Sequence, residues 1–458
     1  MDTILFDKNT DKMGNMKNMK SKKKEKPQGL KIFSFCFQKK LLLISFIIYI
    51  CLVCLICKKI FLKSETKKSI DEKANKLISF DTSNLNYIEN VLASLDPNDS
   101  YKGPVFPDDG KITKEWVLGL LDYMKDLEKK KSIEEKYLDR KNLLKMLIKA
   151  KKIFGEYQEA LIDIKIPKGK YITVVGDIHG QYYDLLHIFE INGFPSENNI
   201  YVFNGDFVDR GIFGVECIIA LISLKILYPN YMFMNRGNHE DKSMNDLYGF
   251  KFEVLDKFNN DMRILDCFNE FYKFLPLGHI LNKKILVLHG GLFSKDGVTL
   301  DELKQINRFI DVPSDGLMSE LLWSDPYDGN GTIPSSRGAG VKFGPDVTEK
   351  FLRENNLTLL IRSHEVRDEG YSIETGGQVI TVFSAPNYCD ERGNKGALIK
   401  YYGGDMNHPN FIQFLASPHP DFYSNETQPY FNRQNINLSI GWTTTLCLLN
   451  FLFNFIIN

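Results

Sequence analysis

Five short apolar segments in this 458-residue sequence each lead directly into a cluster of polar side chains. The segments are YITVV, IYVF, YMFM, ILVL and TLLI, and the clusters that follow them are GDIHG, NGDFVDRG, NRGNHE, HGG and RSHE. Apolar runs of this length, bounded by turn residues, are typical of buried strands. Longer apolar stretches of helical length, such as residues 215–227, lie between the first runs, so the pattern predicts an α/β fold with helices on both faces of a sheet.

The five polar clusters are expected to meet at one place. In open α/β sheets, groups at the carboxyl ends of the strands converge on one crevice. Asp, Asn and His together suit divalent transition metals, and their number here is too large for a single ion. One Asp-x-His motif would be weak support, since turn aspartates and buried histidines are common. Five clusters in succession, which take four of the eight histidines, argue against coincidence.

Composition places this site in a globular protein with no general preference for nucleic acid. Hydrophobic residues make up 43% and charged residues 25%, and Lys plus Arg balances Asp plus Glu at 58 each. No overall field therefore attracts a polyanion. The three cysteines of the globular middle, Cys217, Cys267 and Cys389, are scattered and indicate reduced thiols, which favours the cytosol for that part.

The N-terminal region has the composition of a basic arm followed by a membrane span. Residues 1–40 carry eleven Lys against four acidic residues and predict a disordered arm. Residues 41–57 are apolar and uncharged with Lys pairs on both sides, which predicts one membrane-spanning helix over 41–62. A buried core helix and a cleaved signal sequence are the alternatives. The chain is therefore predicted to be a single-pass membrane protein that contacts the membrane through residues 41–62.

The composition leaves two points open: which side of the membrane holds the catalytic part, and whether the C-terminal tail contacts the membrane. Lysines flank the span equally, so a cytosolic catalytic part is favoured by the cysteines while a lumenal one stays open. Residues 421–458 form a tail whose segment 438–457 is apolar apart from Ser439 and the Thr and Asn residues. This tail is a second candidate for membrane contact.

Three further segments complete the organisation. Residues 63–100 are polar and predict a linker. Apolar residues then recur at helical spacing in two stretches, which predicts a helical extension over residues 101–158. The strand-like runs and their polar clusters fall in residues 159–420, which predicts the catalytic domain.

The motifs together resemble a known family. GDIHG, GDFVDRG, RGNHE, HGGL, LLWSDP, SSRG, FGPDVTEKFL, RSHEV and SAPNYCDERGN are similar to the catalytic domain of the PPP family of protein serine/threonine phosphatases, and most similar to its type-5 members. The resemblance covers about residues 101–420 and implies a metallophosphoesterase-like β-sandwich flanked by helices. The tetratricopeptide repeats of type-5 members are expected to be absent, with the basic arm and the span in their place.

The resemblance also implies a dinuclear metal centre. Two divalent ions, Mn, Fe or Zn, would be held by Asp177, His179, Asp206, Asn238, His289 and His364. Asp206 would bridge the two ions. A metal-activated hydroxide would then attack the phosphorus atom directly.

Five more residues receive catalytic roles from the same resemblance. Arg210 and Arg337 would clamp the phosphate, because a guanidinium fork matches phosphate oxygens, and Tyr388 would add a hydrogen bond. His239 would protonate the leaving alkoxide, and Asp209 would orient His239 and keep it protonated. The alternative for Asp209 is that it pairs only with Arg210.

These inferences predict a membrane-tethered enzyme that hydrolyses phosphoserine and phosphothreonine in proteins. Its partners would be phosphoprotein substrates and the membrane, with no nucleic acid, while regulatory subunits are left undetermined. Two alternatives remain at this point: a membrane-anchored scaffold that binds phosphoproteins, and a metallophosphoesterase that acts on nucleotides or small phosphomonoesters.

Overall fold

Two β-sheets stacked face to face form the centre of the fold. The computed structural model describes residues 86–95, 101–125 and 138–420. The first sheet has the spatial order β1 (Leu161–Ile164), β5 (Gly278–Leu281), β6 (Ile285–Leu288), β10 (Leu359–Arg362), β12 (Val379–Val382) and β11 (Tyr371–Ile373). The second has the order β14 (Asp405–Phe414), β13 (Gly396–Tyr402), β2 (Tyr171–Val175), β3 (Asn199–Phe203) and β4 (Met232–Met234).

The strands that precede the polar clusters run mostly parallel to one another. β2, β3 and β4 pair in parallel in the second sheet, and β6 pairs in parallel with β10 in the first. A third, small sheet of β7 (Asp325–Pro326), β9 (Val341–Phe343) and β8 (Thr332–Pro334) is not hydrogen-bonded to either of the two. Parallel pairing brings the ends of these strands, and the residues that follow them, to the same edge of each sheet.

Helices cover the outer faces of both large sheets. The described helices are α1 (Tyr87–Ala93), α2 (Lys114–Lys125), α3 (Arg140–Gly155), α4 (Tyr182–Asn192), α5 (Gly214–Leu227), α6 (Lys242–Tyr248), α7 (Phe250–Lys257), α8 (Met262–Tyr272), α9 (Leu300–Lys304), α10 (Leu317–Trp323) and α11 (Pro345–Glu354). Apolar residues of α1–α5, α7 and α8 share one core with the five-stranded sheet. Those of α9–α11 share another with the six-stranded sheet.

The alternation of side chains along each strand explains this layering. Ile172 and Val174 of β2 lie in the core between the sheets, together with Val287 and Ile361 from the facing sheet. Val175, on the other face of β2, lies in the core shared with the helices. Because successive strand residues point to opposite faces, a strand covered on both sides must be apolar throughout. The prediction of a β-sandwich flanked by helices is confirmed. The expectation of helices on both faces of one sheet is wrong, because each large sheet has helices on one face and the other large sheet on its second face.

The helical extension is largely as the spacing predicted. α2 and α3 bury the apolar faces expected of them, and the Asp139 side chain caps α3 by accepting a 2.9 Å hydrogen bond from the backbone N–H of Asn142. Helix α1 lies inside the stretch predicted as a linker, and Ile88 and Val91 pack into the core. Ile88 and Val91 are three residues apart, which is a helical spacing, but the polar composition of the stretch predicted a linker instead.

One fully buried guanidinium ties the end of α3 to the catalytic domain. Arg308 donates hydrogen bonds to the carbonyl oxygens of Phe154 at 3.0 Å, Tyr157 at 2.6 Å and Glu159 at 2.6 Å. These carbonyls lie at or just beyond the end of a helix, where backbone oxygens lack helical partners and a cation is favourable. The extension and the catalytic domain therefore share a buried polar joint.

Several predictions fall on residues outside the described ranges. These are the basic arm at 1–40, the membrane span at 41–62 and the tail at 421–458. Within residues 86–95, 101–125 and 138–420, no helix has the length and apolar character needed to cross a membrane.

We expect Arg308→Met to lower the free energy of unfolding by about 3 kcal/mol, because several buried carbonyl oxygens lose a charged donor. Urea unfolding followed by fluorescence measures the change. Arg353→Met is the control, since Arg353 is exposed and its ion pair with Glu349 is 3.6 Å long, and we expect a change of no more than about 0.5 kcal/mol. Equal stability of the two variants would contradict this role for Arg308.

We expect the stability to rise with pH because of Lys225. Its ammonium is buried against the rings of Phe154 and Phe233 and donates to the Pro229 carbonyl at 2.7 Å. Burial lowers the pKa of Lys225 from 10.5 to about 7. Between these values the unfolded chain holds a proton that the folded chain lacks, so stability increases with pH. From pH 7 to pH 9 the free energy of unfolding should rise by about 2 kcal/mol more in the parent than in Lys225→Met, and parallel curves would refute this.

Candidate metal and phosphate site

The ends of five strands bring the six predicted metal ligands together. Asp177 and His179 follow β2, Asp206 follows β3, Asn238 follows β4, His289 follows β6 and His364 follows β10. All six side chains are buried. Two groups in the described residues have ligand atoms close enough to hold a metal ion: His179, Asp206 and His239, and Asp206, His289 and His364. Asp206 belongs to both groups.

Asp206 is surrounded by imidazole rings. Its Oδ2 lies 3.2 Å from His289 Nε2, 3.5 Å from His179 Nε2 and 3.9 Å from His239 Nε2. Burial alone would raise the pKa of Asp206, but these rings lower it well below its usual value. The carboxylate is therefore ionised and can only accept hydrogen bonds or bind a cation.

The donor atoms around His289 fit a metal ion. Its Nδ1 lies 2.8 Å from the Asn204 carbonyl oxygen, which can only accept, so Nδ1 carries the proton and the Nε2 lone pair faces the site. Nε2 lies 2.9 Å from Asn238 Oδ1 and 3.3 Å from His364 Nδ1. Lone pairs that converge at such distances repel one another unless a cation stands among them. A proton can play this part, since Asp206 raises the pKa of His289 to about 9 against the effect of burial.

The same donor pattern recurs around His179. Its Nδ1 lies 3.0 Å from the Val208 carbonyl oxygen, so its Nε2 lone pair is turned towards Asp206 and towards Asp177 Oδ2 at 3.7 Å. Burial, and next the nearby His239, lower the pKa of His179 to about 3, so the ring is neutral and able to bind a metal. Imidazole and carboxylate donors together suit first-row divalent ions.

Tight loops after the strands aim these side chains, and their backbone is strained. Five site residues have positive φ: His179 at 46°, Asp206 at 52°, Asp209 at 66°, Arg210 at 71° and His364 at 70°. Side chains other than glycine rarely adopt this region, and such residues concentrate at functional sites. Gly237 is required for close approach, because a Cβ there would lie 2.2 Å from Asp206 Oδ1.

His239 and Asp209 form a buried pair beside the ligands. His239 Nδ1 lies 2.8 Å from Asp209 Oδ2, and the backbone N–H of His239 donates to Asp206 Oδ1 at 2.9 Å. Burial opposes protonation of the ring, yet Asp206 and then Asp209 raise the pKa of His239. Nδ1 thus carries a proton held by Asp209, while Nε2 faces the site. Arg210 stacks on the Tyr248 ring at 4.0 Å. Its guanidinium therefore contacts Tyr248, whereas the alternative role of Asp209 required a pair between Asp209 and Arg210.

The two predicted phosphate-binding arginines reach the site from different loops. Arg210 Nε is buried without a hydrogen-bond partner in the described structure. Arg337 donates through Nε to Asp325 Oδ2 at 2.6 Å and through Nη2 to the His364 carbonyl at 3.3 Å. Tyr388 lies beside His179, with ring centroids 5.2 Å apart. All five predicted catalytic side chains thus lie at or next to the predicted metal ligands.

Two supporting carboxylates received no role from the sequence. Asp325 joins Arg337 to the fully buried Arg362, whose Nη2 donates to it at 2.8 Å. Glu240 accepts from the backbone N–H groups of Asp206, Phe207 and Gly237 at 2.7 to 2.8 Å. Asp325 lies within the motif LLWSDP and Glu240 within the motif RGNHE, so the sequence placed both residues near the site but gave no contact for either. The contacts that define its role join distant segments and were not visible in the sequence.

The chain matches two family models and several curated proteins. The family described as calcineurin-like phosphoesterase matches residues 170–368, and the family described as PPP5 TPR repeat region matches residues 55–163. Serine/threonine-protein phosphatase 5 of Arabidopsis thaliana is 48% identical over 341 residues, which cover 73% of this chain and 62% of that protein. The human protein of the same name is 45% identical over 359 residues, which cover 78% of this chain and 69% of that protein.

A solved structure agrees with these relatives. A protein serine/threonine phosphatase from Saccharomyces cerevisiae, described as similar to human phosphatase PP5, has a TM-score of 0.63 and 39% identity, and the match covers 68% of this chain and 98% of that one. The chain spans between 54% and 62% of the length of the first three curated relatives.

Two predictions are corrected by these comparisons. The expectation that the tetratricopeptide-repeat region is absent is wrong, because the family of that region matches residues 55–163. The prediction of a single-pass membrane protein anchored through residues 41–62 is also wrong. The repeat-region match begins at residue 55, inside that segment.

The catalytic core, by contrast, is as the motifs indicated. With 45% identity over more than two thirds of the human protein and a calcineurin-like phosphoesterase core, the chain belongs to the serine/threonine-protein phosphatase 5 family of metal-dependent protein phosphatases.

Proposed function

We propose that this chain hydrolyses phosphoserine and phosphothreonine in proteins with the help of two divalent metal ions. The observation that carries the proposal is that Asp206 is shared by two groups of buried histidines. A carboxylate between two ligand groups suits a pair of ions close together. The relatives that the chain matches are named serine/threonine-protein phosphatases, which supports phosphoproteins over nucleotides as substrates.

The six ligands divide around Asp206. Asp177 and His179 would hold one ion, and Asn238, His289 and His364 the other. When bound, the ions would act as Lewis acids towards phosphate oxygens and lower the pKa of water towards neutrality. First-row ions such as Mn, Fe or Zn fit the mixture of imidazole, carboxylate and amide donors.

Two guanidinium groups would hold the phosphate of the substrate. Arg210 is supported in this role by its buried Nε, which has no partner in the described structure and would be satisfied by a phosphate oxygen. Arg337 is held by Asp325, whose hydrogen bonds at 2.6 and 3.3 Å fix the orientation of the guanidinium. Tyr388, and Asn238 through its amide, would add hydrogen bonds to the phosphoryl group.

His239 would supply the proton that the reaction consumes. As the oxygen of water bonds to phosphorus, the bond to the serine or threonine oxygen breaks, and that oxygen leaves with a proton from His239 Nε2. Asp209 accepts from Nδ1 at 2.8 Å and so keeps Nε2 turned towards the site. Its negative charge favours the protonated ring that the step requires.

We expect Asp206→Asn and His239→Ala each to lower kcat on a phosphoserine peptide at least about 100-fold, because they remove the shared ligand and the proton donor. The full chain is assayed with Mn²⁺ by release of inorganic phosphate. Asp405→Asn, at an exposed position on β14, is the control and should retain parental activity. Bound metal is counted by elemental analysis, and only Asp206→Asn should lose it. Retention of activity by both active-site variants would remove the basis of the proposal.

Chelation gives an independent check on the role of metal. Treatment with a chelator should abolish phosphate release, and added Mn²⁺ should restore it. The same preparations are offered a dinucleotide and a small phosphomonoester. A kcat/KM for dinucleotide above that for phosphopeptide would replace the proposed substrate class with nucleotides.

A further inference from the structure

A buried amide on helix α6 joins the two members of the His239–Asp209 pair. Asn245 is fully buried, and its Nδ2 donates to Asp209 Oδ2 at 3.0 Å and to the His239 carbonyl oxygen at 2.7 Å. One NH₂ group therefore contacts the carboxylate that holds the imidazole and the backbone that carries it.

The contact completes the hydrogen bonding of Asp209. Oδ2 accepts from His239 and Asn245, and Oδ1 accepts from the backbone N–H of Phe250 at 2.8 Å. These three donors come from the loop after β4, from α6 and from the start of α7, so the carboxylate is fixed from several directions. Asp209 itself has a strained backbone with φ of 66°, which needs such support.

The amide oxygen of Asn245 argues against a purely stabilising role for this residue. Its Oδ1 is buried and has no hydrogen-bond partner among the described residues. A buried carbonyl oxygen without a partner is destabilising, and an apolar side chain of similar size would avoid that cost. The two hydrogen bonds made by Nδ2 must therefore matter for geometry.

We propose that Asn245 is a positioning residue that holds the His239–Asp209 pair so that His239 Nε2 points at the leaving oxygen of the substrate. The inference rests on the proposed function, because it requires His239 to be the proton donor. Without Asn245, Asp209 keeps two of its three donors but loses the one that also fixes the His239 backbone.

The leaving group of the substrate separates positioning from general damage. A serine alkoxide is a poor leaving group and needs the proton as the phosphorus–oxygen bond breaks, whereas p-nitrophenolate departs without one. A variant with a misplaced donor should therefore lose activity on a phosphoserine peptide and keep it on p-nitrophenyl phosphate. The ratio of the two kcat values on one preparation does not depend on the fraction that is folded.

The experiment compares Asn245→Leu, which keeps the size and removes the donors, with Asn245→Ala in the full chain with Mn²⁺. We expect kcat on the peptide to fall about 10-fold, with KM changed by less than about 3-fold, and kcat on p-nitrophenyl phosphate to fall by less than about 2-fold. Asn269→Leu is the matched control, since Asn269 is a buried asparagine on α8 whose Nδ2 and Oδ1 have no partners in the described structure. Its ratio should equal the parental one.

His239→Ala and Asp209→Asn distinguish failure of the inference from failure of the proposed function. If neither changes the ratio of the two substrates, His239 is not the proton donor and the part of the proposed function on which this inference rests fails. If both change it and neither Asn245 variant does, Asn245 has no positioning role. If only one Asn245 variant folds, the ratio in that variant decides.

Discussion

The rest of the site depends on the ionised carboxylate of Asp206, which is buried among three imidazole rings. Its Oδ2 is 3.2 to 3.9 Å from the ring nitrogens of His289, His179 and His239. A buried anion is stable only when cations or donors surround it. Two of the rings are fixed by backbone carbonyls so that their lone pairs also face inwards. The arrangement therefore favours positive charge at its centre, which the proposed pair of divalent ions would supply.

The sandwich makes this costly arrangement possible. Apolar strands covered on both faces form a rigid platform, and the loops at their ends can be held in conformations that a free chain avoids. Glu240 illustrates the support, since one carboxylate binds three backbone N–H groups of two different loops. Asn245 supports the neighbouring pair in the same manner. The side chains proposed to carry out the reaction are thus oriented by other buried side chains around them.

Part of the fold and the meeting place of the polar clusters could be predicted from the sequence. Strand-length apolar runs followed by Asp, Asn and His predicted that Asp177, Asp206 and His289 converge, because parallel strands end at one edge, whereas the two-sheet sandwich was implied only by the family resemblance. Two N-terminal predictions were wrong: the absence of the tetratricopeptide-repeat region and the membrane anchor at residues 41–62. The anchor was predicted from the length and apolar composition of one stretch alone.

Sequence by itself determined which residue types stand at the strand ends and which faces are apolar, since both follow from periodicity and order along the chain. Tertiary structure decided the charge states and orientations. The pKa of His289 is raised while that of His179 is lowered, although both are buried histidines, because each depends on neighbours far away in sequence. The pairing of Arg337 with Asp325, the positive φ of Asp206 and the two contacts of Asn245 likewise arise only when separate loops pack together. Electrostatic and hydrogen-bond energies depend on distances in space, and spacing along the chain does not encode those distances.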